Sequence, residues 1–235
     1  MRRPPVGYQN WRRLLFLHWP VPAADLRPLV PGCLSIDTFD GTAFVGLIPF
    51  AVEAARPLGT PPEVGLRFLE TNVRTYVRLD GDEPGVFFFS LDAASLMAVI
   101  GARLTLGLPY FWAAGHEDVS DRQVDYLLRR RTGEQPTARV RYQIGDDLGI
   151  AATGSLEHFL IERYRFHQQR GRTLWTVEVA HRPYPLQRAH VEALADELVR
   201  AAGISVPGEP PLAHFASGVD VQVFAPRVRL QGARA

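Results

Sequence analysis

Apolar and polar side chains alternate from Leu66 to Leu79, which predicts a strand with two distinct faces. Nearly continuous apolar runs at Ala43 to Phe50 and Val86 to Leu91 predict further buried strands. Val124 to Arg131, Ala138 to Ile144, Leu174 to His181 and Val219 to Phe224 complete the set. Helices are fewer. Pro22 to Leu29 opens on a proline, Ser95 to Leu104 follows a cap at Asp92 or Ser95, and Leu156 to Tyr164 follows Ser155. Arg188 to Ala202, stopped by Gly203, reads as the longest helix. Arg56 to Gly65 and Ala113 to Asp121 read as loops. Strands outnumber helices and are scattered among them. That predicts a β-rich α+β fold with a curved or closed sheet. We read one domain over 1–235, with its core at about 11–224 and a mobile tail at 226–235.

The strand at 66–79 carries the most chemistry. One face holds Leu69, Thr71, Val73, Thr75, Val77 and Leu79; the other holds Phe68, Glu70, Asn72, Arg74, Tyr76 and Arg78. Same-face neighbours sit roughly 7 Å apart along a strand, so a carboxylate, an amide, a guanidinium and a phenol line one stripe. If that face meets water, Glu70 and Arg74 form a surface pair worth less than about 1 kcal/mol. If the sheet closes, the stripe lines an interior and can orient a small ligand. Phe68 and Tyr76 on the polar stripe favour the interior.

The next strand places Phe88, Ser90 and Asp92 on one face and leads through a helix to Arg103 and Tyr110. Ser90 lacks the G-x-S-x-G context of a hydrolase nucleophile and is expected to contact ligand. Asp92 reads as a helix cap. Phe159 and Arg163 stand at i and i+4 on one helix face, and Arg129 to Arg131 read as solvated or edge-protecting.

Composition removes several chemistries. The chain has 235 residues, 46% hydrophobic and 22% charged, with a formal charge of +1. That balance disfavours a phosphate-backbone partner, so no nucleic acid is expected. All 26 basic residues are arginine. Without lysine there is no Schiff-base amine and no P-loop lysine. Cys33 is the single cysteine, which excludes an internal disulfide and a paired-cysteine zinc site and suits a reducing compartment. The seven histidines show no H-E-x-x-H spacing, and no G-x-G-x-x-G follows a strand. Neither metal nor cofactor is therefore expected. The apolar run Leu14 to Trp19, behind Arg2, Arg3, Arg12 and Arg13, is signal-like, but His18 and Pro20 break it. No run reaches the roughly 18–20 apolar residues of a membrane span, so we expect a cytoplasmic protein without membrane contact.

Several segments together carry a family resemblance. Phe16-Leu17-His18-Trp19-Pro20-Val21, Asp37-Thr38-Phe39-Asp40-Gly41, Leu47-Ile48-Pro49-Phe50 and Glu70-Thr71-Asn72-Val73-Arg74-Thr75-Tyr76-Val77 form its first half. Phe89-Ser90-Leu91-Asp92, Leu108-Pro109-Tyr110 and the segment Leu156 to Tyr164 form the second. From about Trp11 to Phe224 the chain resembles the uncharacterised YqjF-like family, which is similar to the acetoacetate decarboxylase superfamily. The resemblance implies a cone-like antiparallel β-barrel with a few flanking helices and a central cavity, with Glu70, Asn72 and Arg74 inside. Decarboxylases of that superfamily carry Pro-Lys-Lys after a glycine. Here Pro109-Tyr110-Phe111 resembles that run, after Gly107-Leu108. Phe68-Leu69-Glu70 resembles the decarboxylase carboxylate that follows a tyrosine by two residues. The carboxylate is kept and the amine is lost. A phenol cannot form the imine, and arginine stays protonated, so Schiff-base decarboxylation is excluded.

Three readings stay open. The first is cofactor-independent lyase, isomerase or hydrolase chemistry on a small organic acid or carbonyl compound. In it Glu70 and Tyr110 act as catalytic groups, and Asn72, Arg74, Tyr76, Ser90 and Arg103 bind the ligand. The second is a non-catalytic ligand-binding or sensing protein. The third is a structural or interaction protein whose interior is filled by Phe87, Phe88, Phe89 and Phe111. Homo-oligomers are compatible with all three.

Overall fold

A computed structural model describes residues 4–206 and 212–230. Its strands are β1 (Pro5–Val21), β2 (Leu34–Ile36), β3 (Ala43–Pro57), β4 (Leu66–Leu79), β5 (Glu83–Ala93), β6 (Tyr110–Ser120) and β7 (Gln123–Arg130). They continue with β8 (Thr137–Gly149), β9 (Arg165–Arg170), β10 (Thr173–Ala180), β11 (Leu186–Asp196), β12 (Leu212–Phe224) and β13 (Arg227–Leu230). The α-helices are short: α1 (Ala23–Leu26), α2 (Leu96–Thr105), α3 (Leu156–Ile161) and α4 (Leu198–Ala201).

All the strands join one sheet, whose pairing closes on itself. One circuit runs β5-β6-β7-β8-β11-β12-β1-β3-β4 and back to β5. A second runs β4-β5-β9-β10-β12-β1-β3 and back to β4. The strands β1, β3, β4, β5 and β12 belong to both circuits. They form a common wall with a hydrophobic core on each side. Phe16, Phe44, Ile48, Tyr76, Phe88 and Tyr110 face one core. Leu15, Leu17, Val45, Val73, Tyr126 and Phe215 face the other. A strand in such a wall is buried on both faces, and from Glu70 to Val77 every residue of β4 is buried.

The fold is β-rich with few helices, as its patterning predicts. It is not purely antiparallel, because β5 pairs in parallel with both β6 and β9. The α2 crossover makes the β5–β6 pairing possible. Three segments depart from their expected form, and one run without an expected element is a strand. Arg188 to Ala202 is not a long helix: 186–196 is β11, paired with β8, and only α4 is helical. Pairing overrides the helix preference of its alanines, leucines and glutamates. Ala113 to Asp121 is mostly β6, antiparallel to β7, and its exposed polar residues hide the strand. The signal-like run Leu14 to Trp19 lies in β1, an interior strand between β3 and β12. The first part of the tail is β13, paired with β10; residues 231–235 lie outside the described residues. Among the described residues, no helix is long and apolar enough to cross a membrane.

Candidate functional site

The polar stripe of β4 lies in the interior. Relative exposures are 4% for Glu70, 5% for Asn72, 9% for Arg74 and 0% for Tyr76. The surface ion-pair reading is therefore excluded. The stripe shares its face with Phe68 and the first core. On the opposite face Thr71 and Tyr126 bond each other at 2.9 Å, and Tyr126 donates to the Glu70 carbonyl oxygen at 3.0 Å, which holds the backbone beneath Glu70.

Glu70 meets Tyr110. The Ser95 hydroxyl caps α2 by accepting from the Ala98 N–H, so Asp92 is not the cap. After α2, Gly107 adopts φ +65° beside the Trp175 ring, where a Cβ would lie 3.1 Å from the indole nitrogen. The chain then enters β6 beside β5, with Tyr110 opposite Leu91. Tyr110 Oη donates to Glu70 Oε2 at 2.8 Å. Burial pushes the Glu70 carboxyl up to about 8; the Tyr110 hydrogen bond opposes the shift and the nearby Asp92 charge adds to it. Burial, then the charge of Glu70, raises the Tyr110 phenol well above its ordinary value.

Further along the stripe, Arg74 stands opposite Gly46 of β3, and Gly46 opposite His18 of β1. A Cβ at position 46 would lie 2.9 Å from Ile48 Cδ1 and 3.3 Å from His18 Cδ2, so the His18 ring covers a glycine. The C-terminal carbonyls of a short helix need outside donors. The Leu160 carbonyl of α3 receives Arg74 Nη2 at 3.1 Å and Tyr76 Oη at 2.6 Å. His18 Nε2 lies 2.8 Å from Tyr76 Oη. No carboxylate of the described residues lies within ion-pair distance of Arg74. Aromatic rings of Phe16 and Tyr76 flank its guanidinium, each centroid 5.8 Å away. Arg74 Nε, Asn72 Oδ1 and His18 Nδ1 are buried without a hydrogen-bond partner among the described residues.

Two expected contacts do not join this group. Ser90 is buried, but a bulge at Phe89 inserts one residue into β5. Phe88 opposite Arg74 faces the stripe side, whereas Ser90 opposite Val73 and Asp92 opposite Thr71 face the other side. Arg103 is exposed on α2, and its Nε donates to the Tyr110 carbonyl oxygen at 2.7 Å. It braces the Tyr110 backbone. Asp92 instead takes a bidentate grip from Arg130, whose guanidinium lies 3.7 Å from the Phe111 ring centre. Arg130 is therefore neither solvated nor edge-protecting. His18 and Gly46 carry no local motif that marks them; only the long-range pairing of β1, β3 and β4 assembles them with Arg74. Two open clefts lie elsewhere: one of about 920 Å³ along Trp19, Leu194 and Ile204, another of about 720 Å³ along Arg12, Arg182 and Asp220. Among the described residues no cluster of His, Cys, Asp or Glu could hold a metal ion.

Residues 8–220 match the family model DUF2071, described as an uncharacterized conserved protein family. The chain belongs to that family. It is 37% identical over 214 residues to the uncharacterized protein YqjF of Bacillus subtilis (strain 168), covering 91% of this chain and 88% of that one. Its fold is similar to that of the enduracididine biosynthesis enzyme MppR complexed with pyruvate (TM-score 0.66, 12% identity, 97% of this chain and 91% of the other). It is also similar to an acetoacetate decarboxylase-like enzyme from Sphingomonas wittichii RW1 (TM-score 0.65, 14% identity, 98% and 95%). At these identities the likeness concerns the fold alone: this DUF2071 chain has an acetoacetate decarboxylase-like fold.

Proposed function

We propose that this protein binds a small organic acid or carbonyl compound in the interior beside β4 and exchanges a proton with it through Glu70. The observation that carries the reading is the buried Tyr110–Glu70 hydrogen bond of 2.8 Å, on a carboxyl whose pKa is raised to about 8. A group that titrates near neutral pH can both take and return a proton. We read the closed strand circuit as the cone-like barrel of the resemblance, and Pro109-Tyr110-Phe111 as the run that replaces Pro-Lys-Lys. The chain has no lysine amine for an imine. The chemistry left is cofactor-independent proton transfer next to a carbonyl. Arg74 holds the ligand's carboxylate, because a buried guanidinium without a carboxylate partner is stabilised by an anion. When Glu70 is neutral it can donate to Tyr110 Oη, which frees the phenol hydrogen for the ligand's carbonyl oxygen. Tyr76 lines the same seat, whereas Ser90 and Arg103 are left out of it. The single free thiol of Cys33 suits a cytoplasmic setting.

Incubating the protein with pyruvate in D2O tests the reading. The expected result is faster deuterium uptake at the methyl group, followed by NMR, with a rate that rises up to pH about 8 and is lost in Glu70→Gln. Tyr110→Phe should slow it. Binding that persists with no uptake for any oxo acid would favour the alternative, a binding or sensing protein on the same scaffold, which the unpaired Arg74 supports equally.

A further inference from the structure

We infer that the seat around Arg74 selects a hydroxylated carboxylate over the matching oxo acid or amino acid, with either Asn72 Oδ1 or His18 Nδ1 accepting the one hydrogen of the ligand's hydroxyl. This rests on the reading that Arg74 holds a carboxylate and names the class of acid it holds; the carbonyl that Tyr110 and Glu70 act on then lies elsewhere on the same molecule, and simple acids probe the Arg74 seat alone.

The argument is an account of hydrogens. Tyr76 carries one hydroxyl hydrogen, and it goes to the Leu160 carbonyl at 2.6 Å, an oxygen that can only accept. The 2.8 Å contact between Tyr76 Oη and His18 Nε2 must therefore use the hydrogen of His18 Nε2. The imidazole is fully buried, and beside it stand Arg74 and His214, each of which further disfavours a charged ring. A neutral ring protonated on Nε2 has a bare Nδ1, which is an acceptor. That atom has no partner among the described residues, and neither has Asn72 Oδ1. Arg74 Nε, a donor, is unpartnered as well. The face thus offers one unused donor on a cation and two unused acceptors.

A complementary ligand carries an anionic oxygen for Arg74 and a hydrogen to donate. The carbonyl of an oxo acid has no such hydrogen and leaves both acceptors buried and unpaired, whereas a hydroxyl satisfies one of them. Each buried polar group left without a partner weakens binding. An ammonium group could donate, but it would be buried near the Arg74 cation. A neutral hydroxyl meets both requirements.

The test is calorimetric titration of the full chain with lactate, pyruvate and alanine, and with 3-hydroxybutyrate and acetoacetate. The hydroxy acid of at least one set is expected to bind tenfold or more tightly than its oxo partner, and lactate more tightly than alanine. Arg74→Gln should lose all binding. Of Asn72→Leu and His18→Phe, the one that removes the acceptor in use should bring the hydroxy-to-oxo ratio towards one while oxo-acid affinity changes less than threefold. Equal or tighter oxo-acid binding that still depends on Arg74 would overturn this inference and leave the proposed function standing. A ratio unchanged in both variants would overturn it too. Failure of all five acids to bind would remove the Arg74 seat and the proposed function with it.

Discussion

Arg130 holds both carboxylate oxygens of Asp92, at 2.6 and 2.9 Å, across the core opposite the β4 stripe. Asp92 is fully buried, and Arg130 also stacks on Phe111, the residue after Tyr110. The pair ties β5 to β7 beside the β5–β6 junction that delivers Tyr110 to Glu70. Removing one partner of a buried pair leaves the other charge uncompensated, at a cost of about 3–5 kcal/mol. Arg130→Ala should lose that much in chemical denaturation. The double variant Arg130→Met with Asp92→Leu should lose clearly less. A loss under about 0.5 kcal/mol for Arg130→Ala would show that the pair does not hold the junction.

The Tyr76 hydroxyl joins His18 to Leu160. Tyr76→Phe keeps the ring but deprives His18 Nε2–H of its acceptor, while Leu160 retains its bond from Arg74. One buried donor is left unpaired, so the expected cost is about 1–3 kcal/mol. Urea unfolding of the two proteins checks it, and equal midpoints and slopes would contradict a stabilising His18–Tyr76 hydrogen bond.

Glu70 makes stability depend on pH with a definite sign. Its carboxyl is raised from an ordinary value of 4.5 to about 8. Between those values the folded chain keeps a proton that the unfolded chain releases, so stability falls as pH rises through the window and levels off above about 8. The fall is at most about 5 kcal/mol, at roughly 1.4 kcal/mol for each tenfold change in proton affinity. Half-buried Asp196, raised to about 6, gives a fall of the same sign lower in the window. Subtracting the profile of Glu70→Gln isolates the Glu70 part. Parallel profiles for the two proteins would contradict the raised value.

Much of this architecture is legible in the chain itself, because local chemistry and tertiary environment agree there. The alternation at 66–79 matches β4, and Ser95 and Ser155 each cap the helix they precede. The interior position of Glu70 and Arg74 follows from aromatic residues flanking a polar stripe. What stays hidden is long-range or contrary to local preference. The bulge at Phe89 lies within three successive phenylalanines that give no sign of a change of phase, so Ser90 falls on the wrong face. The strand at 186–196 is written in helix-forming residues. His18 interrupts an apolar run for a reason visible only when β1, β3 and β4 lie side by side.

The account stands most directly on the protonation of one carboxyl. Carbon-detected NMR of the protein labelled at glutamate side-chain carboxyls, titrated by pH and assigned by the signal missing from Glu70→Gln, measures it. A Glu70 midpoint near 8 is expected. A midpoint near 4.5 would mean that the carboxyl is an ordinary solvated acid, and the proton-exchanging interior would not exist.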